Sequence, residues 1–375
     1  MPNKKSPQIK NYEPVIHILG IIIVLLFLVN FFYLNSLSSS LTKKLAESKE
    51  AARPANIELI IIKSTCTNCF NIDKVVQSIK AGNVKITKEE ILNEETAKAF
   101  IQQYDLKKLP TVIVKGEINK TDLASTLNEV KGAFVFASQT PPYYDLTSKK
   151  VKGVVKATVI EASACEECTN LTLLIDQISR IGVVFSKVDK LSETEGKDFM
   201  KQYNITKLPT LIFSEDALEY PEIKEAWKTL GTQEQDTNLV LRTVNPPYKN
   251  LATGKIEGLT SVIYLTDSSC KECYDVKSHL KIIQGYGVKL INETTFDVAT
   301  KEGLKFVNEY NIKLVPTIVM SKEVKAYESF YAAYQRVSKE LDDGSTVFTS
   351  LELMGSYKDL ATGKVVTPKP QTAEQ

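Results

Sequence analysis

The chain has 375 residues, enough for two to four globular domains. Hydrophobic residues make up 43% of it and charged residues 25%, a composition typical of folded globular proteins rather than of disordered chains. The formal net charge is only +2, so electrostatics gives no case for a nucleic acid partner.

An apolar segment lies close to the N-terminus. After a polar tail at residues 1–14, residues 15–34 contain no Asp, Glu, Lys or Arg. As a helix these residues span about 30 Å, the hydrocarbon thickness of a bilayer. We predict that this segment is a transmembrane anchor in contact with the lipid bilayer. A cleaved signal peptide is the alternative, but its apolar core has only about 7–15 residues.

The flanking lysines predict how the anchor is oriented. Three lysines precede the segment and three follow it, and Lys10 lies closer to the membrane than Lys43 does. This bias favours a cytoplasmic N-terminus. We therefore expect a cytoplasmic tail at residues 1–14 and globular domains outside the cytoplasmic membrane. Residues 35–56 are predicted to be a linker that begins with serines and ends at Arg53-Pro54.

The rest of the chain repeats one layout three times. All six cysteines fall into Cys-x-x-Cys pairs, namely Cys66 with Cys69, Cys165 with Cys168, and Cys270 with Cys273. From the first cysteine of each pair, a proline followed by Thr comes after 44, 44 and 46 residues. With the apolar residue before each proline, these are Leu109-Pro110, Leu208-Pro209 and Val315-Pro316. A repeat near 100 residues predicts tandem domains, because the repeats of solenoids are far shorter.

The elements of the first repeat follow in chain order. A run at 57–62 that is apolar at every position except Glu58 predicts a buried strand before the cysteines. We then predict a helix carrying Ile72, Val75, Val76 and Ile79 on one face. The remaining predicted elements are a strand at 84–86, a helix at 94–104, a strand at 111–114, a helix at 121–130 and a strand at 134–137.

The other two repeats follow the same pattern. Helices are predicted at 220–230 and 326–341, and final strands at 239–243 and 346–351. A second recurring phrase closes each repeat, at Pro141-Pro142-Tyr143, Pro246-Pro247-Tyr248 and Ser356-Tyr357-Lys358. We interpret this phrase as a turn between domains; a Pro-rich ligand for a partner is the alternative. The predicted domains are 57–149, 150–254 and 255–366, followed by a tail at 367–375.

This layout resembles the thioredoxin superfamily. In that family a strand delivers a Cys-x-x-Cys pair to the N-terminus of a helix, and an apolar residue followed by a cis-proline opens the next strand beside the cysteines. The resemblance implies an α/β fold with three tandem thioredoxin-like domains behind one N-terminal transmembrane helix. Each domain would have a central mixed sheet flanked by helices. An extra helix would be inserted after the cis-proline strand, where the family has a hairpin.

The resemblance also implies roles for the repeated residues. The first cysteine of each pair would be the nucleophile, because a helix N-terminus favours the reactive thiolate. These are Cys66, Cys165 and Cys270. The second cysteine would resolve the mixed disulfide. These are Cys69, Cys168 and Cys273. The residue before each cis-proline would present its backbone to an extended substrate. These residues, with their prolines, are Leu109 and Pro110, Leu208 and Pro209, and Val315 and Pro316.

The predicted function is thiol–disulfide exchange, as an oxidoreductase or isomerase acting on extracytoplasmic proteins that carry thiols or disulfides. A membrane redox protein is a further candidate partner, and the chemistry requires no cofactor. The alternative is a non-catalytic scaffold or binding module with structural disulfides. We predict no metal site, because zinc needs four ligands where each domain offers two thiols, and the only histidines are His17 and His279.

The residues between the cysteines predict a difference between two of the sites. Glu166 stands where the third repeat has Lys271. A negative charge opposes thiolate formation and a positive charge favours it. Stabilising the thiolate stabilises the reduced form, so we expect the third pair to be more oxidising than the second.

Overall fold

The computed structural model describes the backbone of residues 13–368 and the side chains of residues 25–368. The chain divides into two compact units. The first unit extends through Gln139 and resumes at Tyr143–Lys150, and the second holds Thr140–Pro142 and the chain from Val151 onward. Residues 1–12 and 369–375, which make up most of the two predicted tails, lie outside the described residues.

The first helix, α1, is Glu13–Ala52 and has 40 residues. It is continuous through the serines, so the predicted linker is helical up to Ala52. It ends before Arg53-Pro54, since proline lacks an N–H and restricts the residue before it. Within the described side chains, Leu25–Ala52 is long and apolar enough to cross a membrane, with a mean hydropathy of 1.3. The side chains of residues 15–24, in the first half of the predicted anchor, lie outside the described ones.

The remainder of the first unit is built on one mixed sheet. Its elements are β1 (Ala55–Ile62), α2 (Ile72–Ala81), β2 (Val84–Leu92), α3 (Lys98–Gln103), β3 (Lys108–Leu109), β4 (Thr111–Gly116), β5 (Asn128–Val130), β6 (Ala133–Val135) and β7 (Tyr143–Asp145). The main sheet has the order β2-β1-β4-β6-β5. Strand β1 runs parallel to β2 and antiparallel to β4.

Strand β1 buries apolar side chains on both faces because helices cover both, and only Asn56 and Glu58 in its first half are exposed. Ile57, Leu59 and Ile61 pack in the cluster that holds the buried face of α2. Ile60 and Ile62 point the other way, into the cluster that contains residues of α3. Alternation along a strand divides these side chains between two cores. The predicted buried strand and the apolar face of the helix after the cysteines are therefore confirmed.

The second unit contains two more sheets of the same kind. Strand β8 (Lys150–Lys152) leads into it. The elements around the second cysteine pair are β9 (Val154–Ile160), α4 (Leu171–Arg180), β10 (Val184–Leu191), α5 (Lys197–Gln202), β11 (Lys207–Leu208), β12 (Thr210–Phe213), α6 (Pro221–Leu230), β13 (Gly231–Gln233), β14 (Leu239–Leu241), β15 (Tyr248–Asn250) and β16 (Ile256–Glu257). The main sheet has the order β10-β9-β12-β14-β13, and a small sheet has the order β11-β15-β16.

The third set of elements repeats this plan. It consists of β17 (Thr260–Thr266), α7 (Ser278–Gly285), β18 (Leu290–Asp297), α8 (Lys301–Glu309), β19 (Leu314–Val315), β20 (Thr317–Met320), α9 (Glu328–Tyr334), β21 (Ser338–Glu340), β22 (Thr346–Phe348), β23 (Tyr357–Asp359) and β24 (Val365–Val366). The main sheet has the order β18-β17-β20-β22-β21, and the small one β19-β23-β24. The described residues thus form three mixed sheets with flanking helices, as predicted for tandem thioredoxin-like domains, and the predicted α/β fold class is confirmed.

The inserted helix differs between the repeats. It is present as α6 in the second repeat, and as α9, shorter than predicted, in the third. In the first repeat the predicted helix at 121–130 is wrong: a 3-10 turn at Asp122–Thr126 leads directly into β5. The Ser125 and Thr126 hydroxyls donate to carbonyls three residues earlier, a side-chain bond that competes with helix continuation. The three short edge strands β5, β13 and β21 were not predicted.

Candidate functional site

The three cysteine pairs are disulfide-bonded, and we call them sites 1, 2 and 3 in chain order. The Sγ–Sγ distances are 2.13, 2.06 and 2.02 Å for Cys66–Cys69, Cys165–Cys168 and Cys270–Cys273. All six cysteines are half-buried, whereas the two residues between them are exposed in every pair. Each disulfide therefore lies at the surface, partly shielded by its surroundings.

The cysteines precede their helices rather than beginning them. Helices α2, α4 and α7 start at Ile72, Leu171 and Ser278, beyond the second cysteine of each pair. In the first two helices Asn71 and Asn170 are the N-caps, and their side chains accept bonds from backbone N–H groups of the first turn. The prediction that the first cysteine lies at a helix N-terminus is therefore wrong, and the positive end of the helix dipole lies past the pair.

The predicted prolines lie beside the strands that lead to the cysteines. The peptide bonds Leu109–Pro110, Leu208–Pro209 and Val315–Pro316 are cis. The threonine after each proline pairs with the last or second-to-last residue of the strand before the cysteines. These register pairs are Thr111 with Ile62, Thr210 with Ile160, and Thr317 with Leu265. The fold thus brings each cysteine pair and its proline to one end of the sheet.

The closing phrase of each repeat returns to this place as a strand. We call β7, β15 and β23 straps 1, 2 and 3. Each strap runs antiparallel to the short strand before the cis-proline. Leu109 pairs with Tyr144, Leu208 with Lys249, and Val315 with Lys358. The sequence had predicted only a turn between domains here.

Flanking hydrogen bonds define this pairing. The N–H groups of Leu146, Leu251 and Leu360 donate to the carbonyls of Lys107, Thr206 and Lys313, at 2.9, 2.9 and 2.8 Å. In an antiparallel pair, residues that exchange both backbone bonds alternate with residues that exchange none. The residue before each cis-proline, two positions further on, therefore exchanges both bonds with its strap. The backbone groups predicted to receive an extended substrate are occupied by the chain itself.

Straps 2 and 3 are also bonded on the cysteine side. The N–H of Thr169, which follows Cys168, donates to the Pro247 carbonyl at 3.1 Å. At the matching position, the N–H of Tyr274 donates to the Ser356 carbonyl at 2.9 Å. Pro247 and Ser356 are the residues just before the two straps. Straps 2 and 3 therefore lie between the turn that holds the cysteines and the backbone that precedes the cis-proline.

An ion pair fastens strap 3 near its disulfide. Lys358 Nζ lies 2.7 Å from Asp267 Oδ2 and 3.0 Å from Ser269 Oγ. The Asp267 side chain is only 4% exposed. Burial pushes the pKa of this carboxyl upward, but the hydrogen bonds from Lys358 and Ser269 outweigh burial and hold the pKa below its ordinary value. The ion pair thus connects the strap to the residues that precede Cys270.

The other two straps are fastened by different side chains. In strap 2, Lys249 Nζ lies 2.7 Å from Glu193 Oε2, and this hydrogen bond lowers the pKa of Glu193. In strap 1 the same position is Tyr144; burial, with a contribution from the neighbouring Glu94, raises the pKa of its hydroxyl. The Lys108 ammonium also lies 3.9 Å from the ring centre of Tyr143, a cation–π contact.

Two cis-proline carbonyls have side-chain partners that sequence reasoning missed. The Tyr274 hydroxyl donates to the Pro316 carbonyl at 2.7 Å and lies 3.1 Å from His279 Nε2. Burial raises the pKa of Tyr274 and lowers that of His279 to about 4. In the first unit Gln139 Nε2 donates to the Pro110 carbonyl at 3.1 Å. The sequence offered a clue to Tyr274, which directly follows Cys273, but it offered none to Gln139.

One charge at site 2 has a partner distant in sequence. Glu167, between the two cysteines, lies 2.8 Å from Lys289, which directly precedes β18. Both side chains are about half exposed, at 47% and 50%. This contact balances one of the two carboxylates at site 2. Among residues 25–368, no group of three or more His, Cys, Asp or Glu side chains is placed to hold a metal ion.

Comparisons with known proteins add little to this geometry. No family model matches the chain, and no curated protein matches it. Among solved structures it is similar to full-length ERdj5, with 9% identity and a TM-score of 0.17, over 70% of this chain and 41% of that one. It is also similar to a protein disulfide oxidoreductase from Aeropyrum pernix K1, with 16% identity and a TM-score of 0.15, over 49% and 88% of the chains.

A third similar structure is form I of human ERp44, with 10% identity and a TM-score of 0.15, over 77% of this chain and 82% of that one. The chain spans about two fifths of the length of the ERdj5 structure. Identities and TM-scores this low do not support conclusions about function. The proposed function is therefore based on the geometry of the chain itself.

Proposed function

We propose that this chain is a membrane-anchored thiol–disulfide oxidoreductase whose three sites act outside the cytoplasmic membrane. The observation that carries the proposal is the repeated site. Three bonded Cys-x-x-Cys pairs lie at the surface, each at the end of a strand and beside the strand that a cis-proline opens. The chemistry is carried by the cysteines alone.

The exchange has two steps. A thiolate from an external thiol attacks one sulfur of the pair, the S–S bond breaks, and a mixed disulfide forms with one cysteine released as a thiol. A second external thiolate attacks the mixed disulfide, releasing an external disulfide and leaving both cysteines reduced. In the opposite direction Cys66, Cys165 and Cys270 are the proposed nucleophiles, and the cysteine three residues later resolves the mixed disulfide.

The location rests on α1 and on the flanking lysines. The described part of the predicted anchor carries apolar side chains such as Phe27 and Phe32, which are 77% and 70% exposed. A helix without a polar face is suited to lipid rather than to water. With the N-terminus inside, the three sites face the extracytoplasmic space. Proteins with thiols or disulfides, and a redox protein of the membrane, are the proposed partners there.

One observation favours a second candidate function, that of a scaffold with structural disulfides. The backbone before each cis-proline is already paired with a strap. If the straps never leave, no extended substrate pairs there, and the disulfides act only as local cross-links. Both functions share the fold, but they differ in whether the cysteine pairs react.

Trapping distinguishes the two functions. The variants Cys69→Ala, Cys168→Ala and Cys273→Ala each leave one first cysteine, and the matched variants Cys66→Ala, Cys165→Ala and Cys270→Ala leave one second cysteine. The oxidoreductase is expected to accumulate mixed disulfides with glutathione or with proteins in the first set and far fewer in the second. The adducts are detected in alkylated lysates by gel analysis and by intact-mass analysis. An absence of adducts in all three variants that keep the first cysteine would support the scaffold.

Topology is tested separately. A membrane-impermeant maleimide, applied to intact cells after mild reduction, is expected to label the six cysteines, because the sites lie outside. A cytoplasmic cysteine protein serves as the control for membrane integrity. Protection of all six cysteines until the cells are lysed would place the sites inside and contradict the proposed location.

A further inference from the structure

We propose that the three straps are built-in occupants of the groove that would take an extended polypeptide, so that they decide the class of substrate. Small thiols and disulfides reach the cysteines with the strap in place. A polypeptide segment reaches them only after the strap has left. This inference rests on the proposed thiol–disulfide exchange and adds a restriction on its substrates.

The backbone before each cis-proline is already paired with its strap. An extended segment adds to an exposed strand through main-chain hydrogen bonds, and an edge that is already paired offers none. Leu208 exchanges both backbone bonds with Lys249, as Val315 does with Lys358. A second strand therefore has no free groups to bind at these positions.

Strap 2 is also bonded to the turn that holds the cysteines. At site 2 the residue after the second cysteine is bonded to the residue before the strap, through Thr169 and Pro247. The Thr169 hydroxyl also donates to the Asn245 carbonyl at 2.7 Å. Strap 2 thus spans from the backbone before Pro209 to the turn of Cys165 and Cys168. An extended segment that contacted both would occupy the same volume.

The sulfurs stay accessible to small molecules while the strap is in place. The cysteines are half-buried but not covered, and the residues between them, such as Glu166 and Glu167, are exposed. A small thiol needs only a line of approach to one sulfur and no backbone pairing. The strap therefore excludes by size and shape, and it does not seal the disulfide from solvent.

Side chains make the closed state specific at each site. Lys249 of strap 2 contacts Glu193, and Lys358 of strap 3 contacts Asp267. Both lysines are the residues that pair with the position before the cis-proline. A substitution at either position can therefore remove the backbone pair, the ion pair, or both, and this allows a matched test.

The test compares two thiols of equal pKa on the full-length oxidised protein in detergent. One is N-acetylcysteinamide, and the other is a soluble extended peptide of about ten residues with one central cysteine, which is the upper length of an ordinary strand. Two molecules of either thiol supply the two electrons that reduce one pair. Alkylation followed by mass spectrometry reads each of the three sites in the same molecule.

The wild type is expected to react at site 2 with the peptide at least about tenfold more slowly than with N-acetylcysteinamide, because the backbone bonds between Leu208 and Lys249 and those that flank them must be broken first. Lys249→Pro removes the strap N–H and is expected to raise the peptide rate about tenfold. The rate with the small thiol is expected to change less than about twofold, since access to the sulfurs does not depend on the pairing.

Sites 1 and 3 of the same molecules are internal references. Lys249→Ala is the matched control, because it removes the ion pair to Glu193 but keeps the backbone pair.

Equal rates of peptide and small thiol at wild-type site 2 would overturn the inference, whether or not any variant folds. So would a Lys249→Pro protein whose strap amides exchange freely with deuterium while its peptide rate is unchanged. Failure of both thiols at all three sites of the folded protein would instead contradict the proposed function itself.

Discussion

Strap 3 and strap 1 make the same backbone pair but are fastened by different side chains. Strap 3 carries Lys358, whose ammonium is bonded to the nearly buried Asp267. Strap 1 carries Tyr144 at the same position, with Glu94 as its neighbour. The common part is the pairing with the residue before the cis-proline.

The difference shows that the pairing of a strap and the strength with which it is held depend on different features of the chain. Backbone pairing follows from the repeated topology and is therefore shared. The side chain that holds each strap lies at one strap position, and the residue there differs between the sites. The strength of closure therefore depends on different contacts at each site. In strap 2 the carboxylate of the ion pair, Glu193, is 26% exposed, against 4% for Asp267 in strap 3.

Breaking the ion pair of strap 3 is expected to have the largest effect. Asp267→Ala removes a carboxylate that is only 4% exposed and leaves the Lys358 ammonium with Ser269 Oγ as its remaining partner, a change that costs about 3 kcal/mol. Glu193→Ala at strap 2 is the matched variant and is expected to cost about 1 kcal/mol, because the Glu193 carboxylate is 26% exposed while the two lysines are exposed to a similar extent. Deuterium exchange of the strap amides in the full-length protein measures the free energy of local opening. Equal losses at the two straps would mean that burial of the pair does not set the strength of closure.

Acid is expected to loosen straps 2 and 3 but not strap 1. The pKa values of Asp267 and Glu193 lie below their ordinary values, so their stabilisation is complete above about pH 5 and is lost as the pH falls below about 4. Tyr144 has a raised pKa and stays protonated throughout this range. Strap amide exchange, corrected for intrinsic rates, is compared at pH 6 and at pH 3. Straps 2 and 3 are expected to lose protection and strap 1 to keep it, and the reverse order would contradict this assignment.

The charges at site 2 are expected to have the smallest effect. Lys289→Gln leaves Glu167 unbalanced and opposes thiolate formation, so the reduction potential of site 2 is expected to fall. Glu166→Lys is expected to raise it. Because these groups are exposed, about 1 kcal/mol, or on the order of 20 mV for two electrons, is the expected size of each change. Potentials read site by site in one chain use sites 1 and 3 as controls. A shift of the same sign in both variants would show that these charges do not set the potential.

Much of the fold follows from local patterns in the sequence. The buried strand of the first repeat and the helix after its cysteines are continuous or periodic apolar runs, and both are observed. The start of that helix was placed too early because Asn71, the residue that caps it, was not recognised among the polar residues after the cysteines. The serine and threonine bonds that replace the helix at 121–130 were missed for a similar reason.

The straps and the Lys289–Glu167 contact lay beyond prediction for a different reason. A three-residue strand has too few positions to show alternation, and the phrase that contains it begins with prolines typical of turns. Its partner lies about 35–45 residues earlier in each repeat. Likewise Lys289 and Glu167 meet only through the packing of the second unit, and nothing near either residue signals the other.

The central claim is that three folded sites exchange disulfides with thiols. The most direct test is a redox titration of the full-length protein in thiol–disulfide buffers, quenched by alkylation and read at each cysteine pair by mass spectrometry. We predict that every pair titrates reversibly as a two-electron couple while circular dichroism stays unchanged, with site 3 more oxidising than site 2. Pairs that remain bonded at every potential until denaturant is added would contradict the account and identify the disulfides as structural.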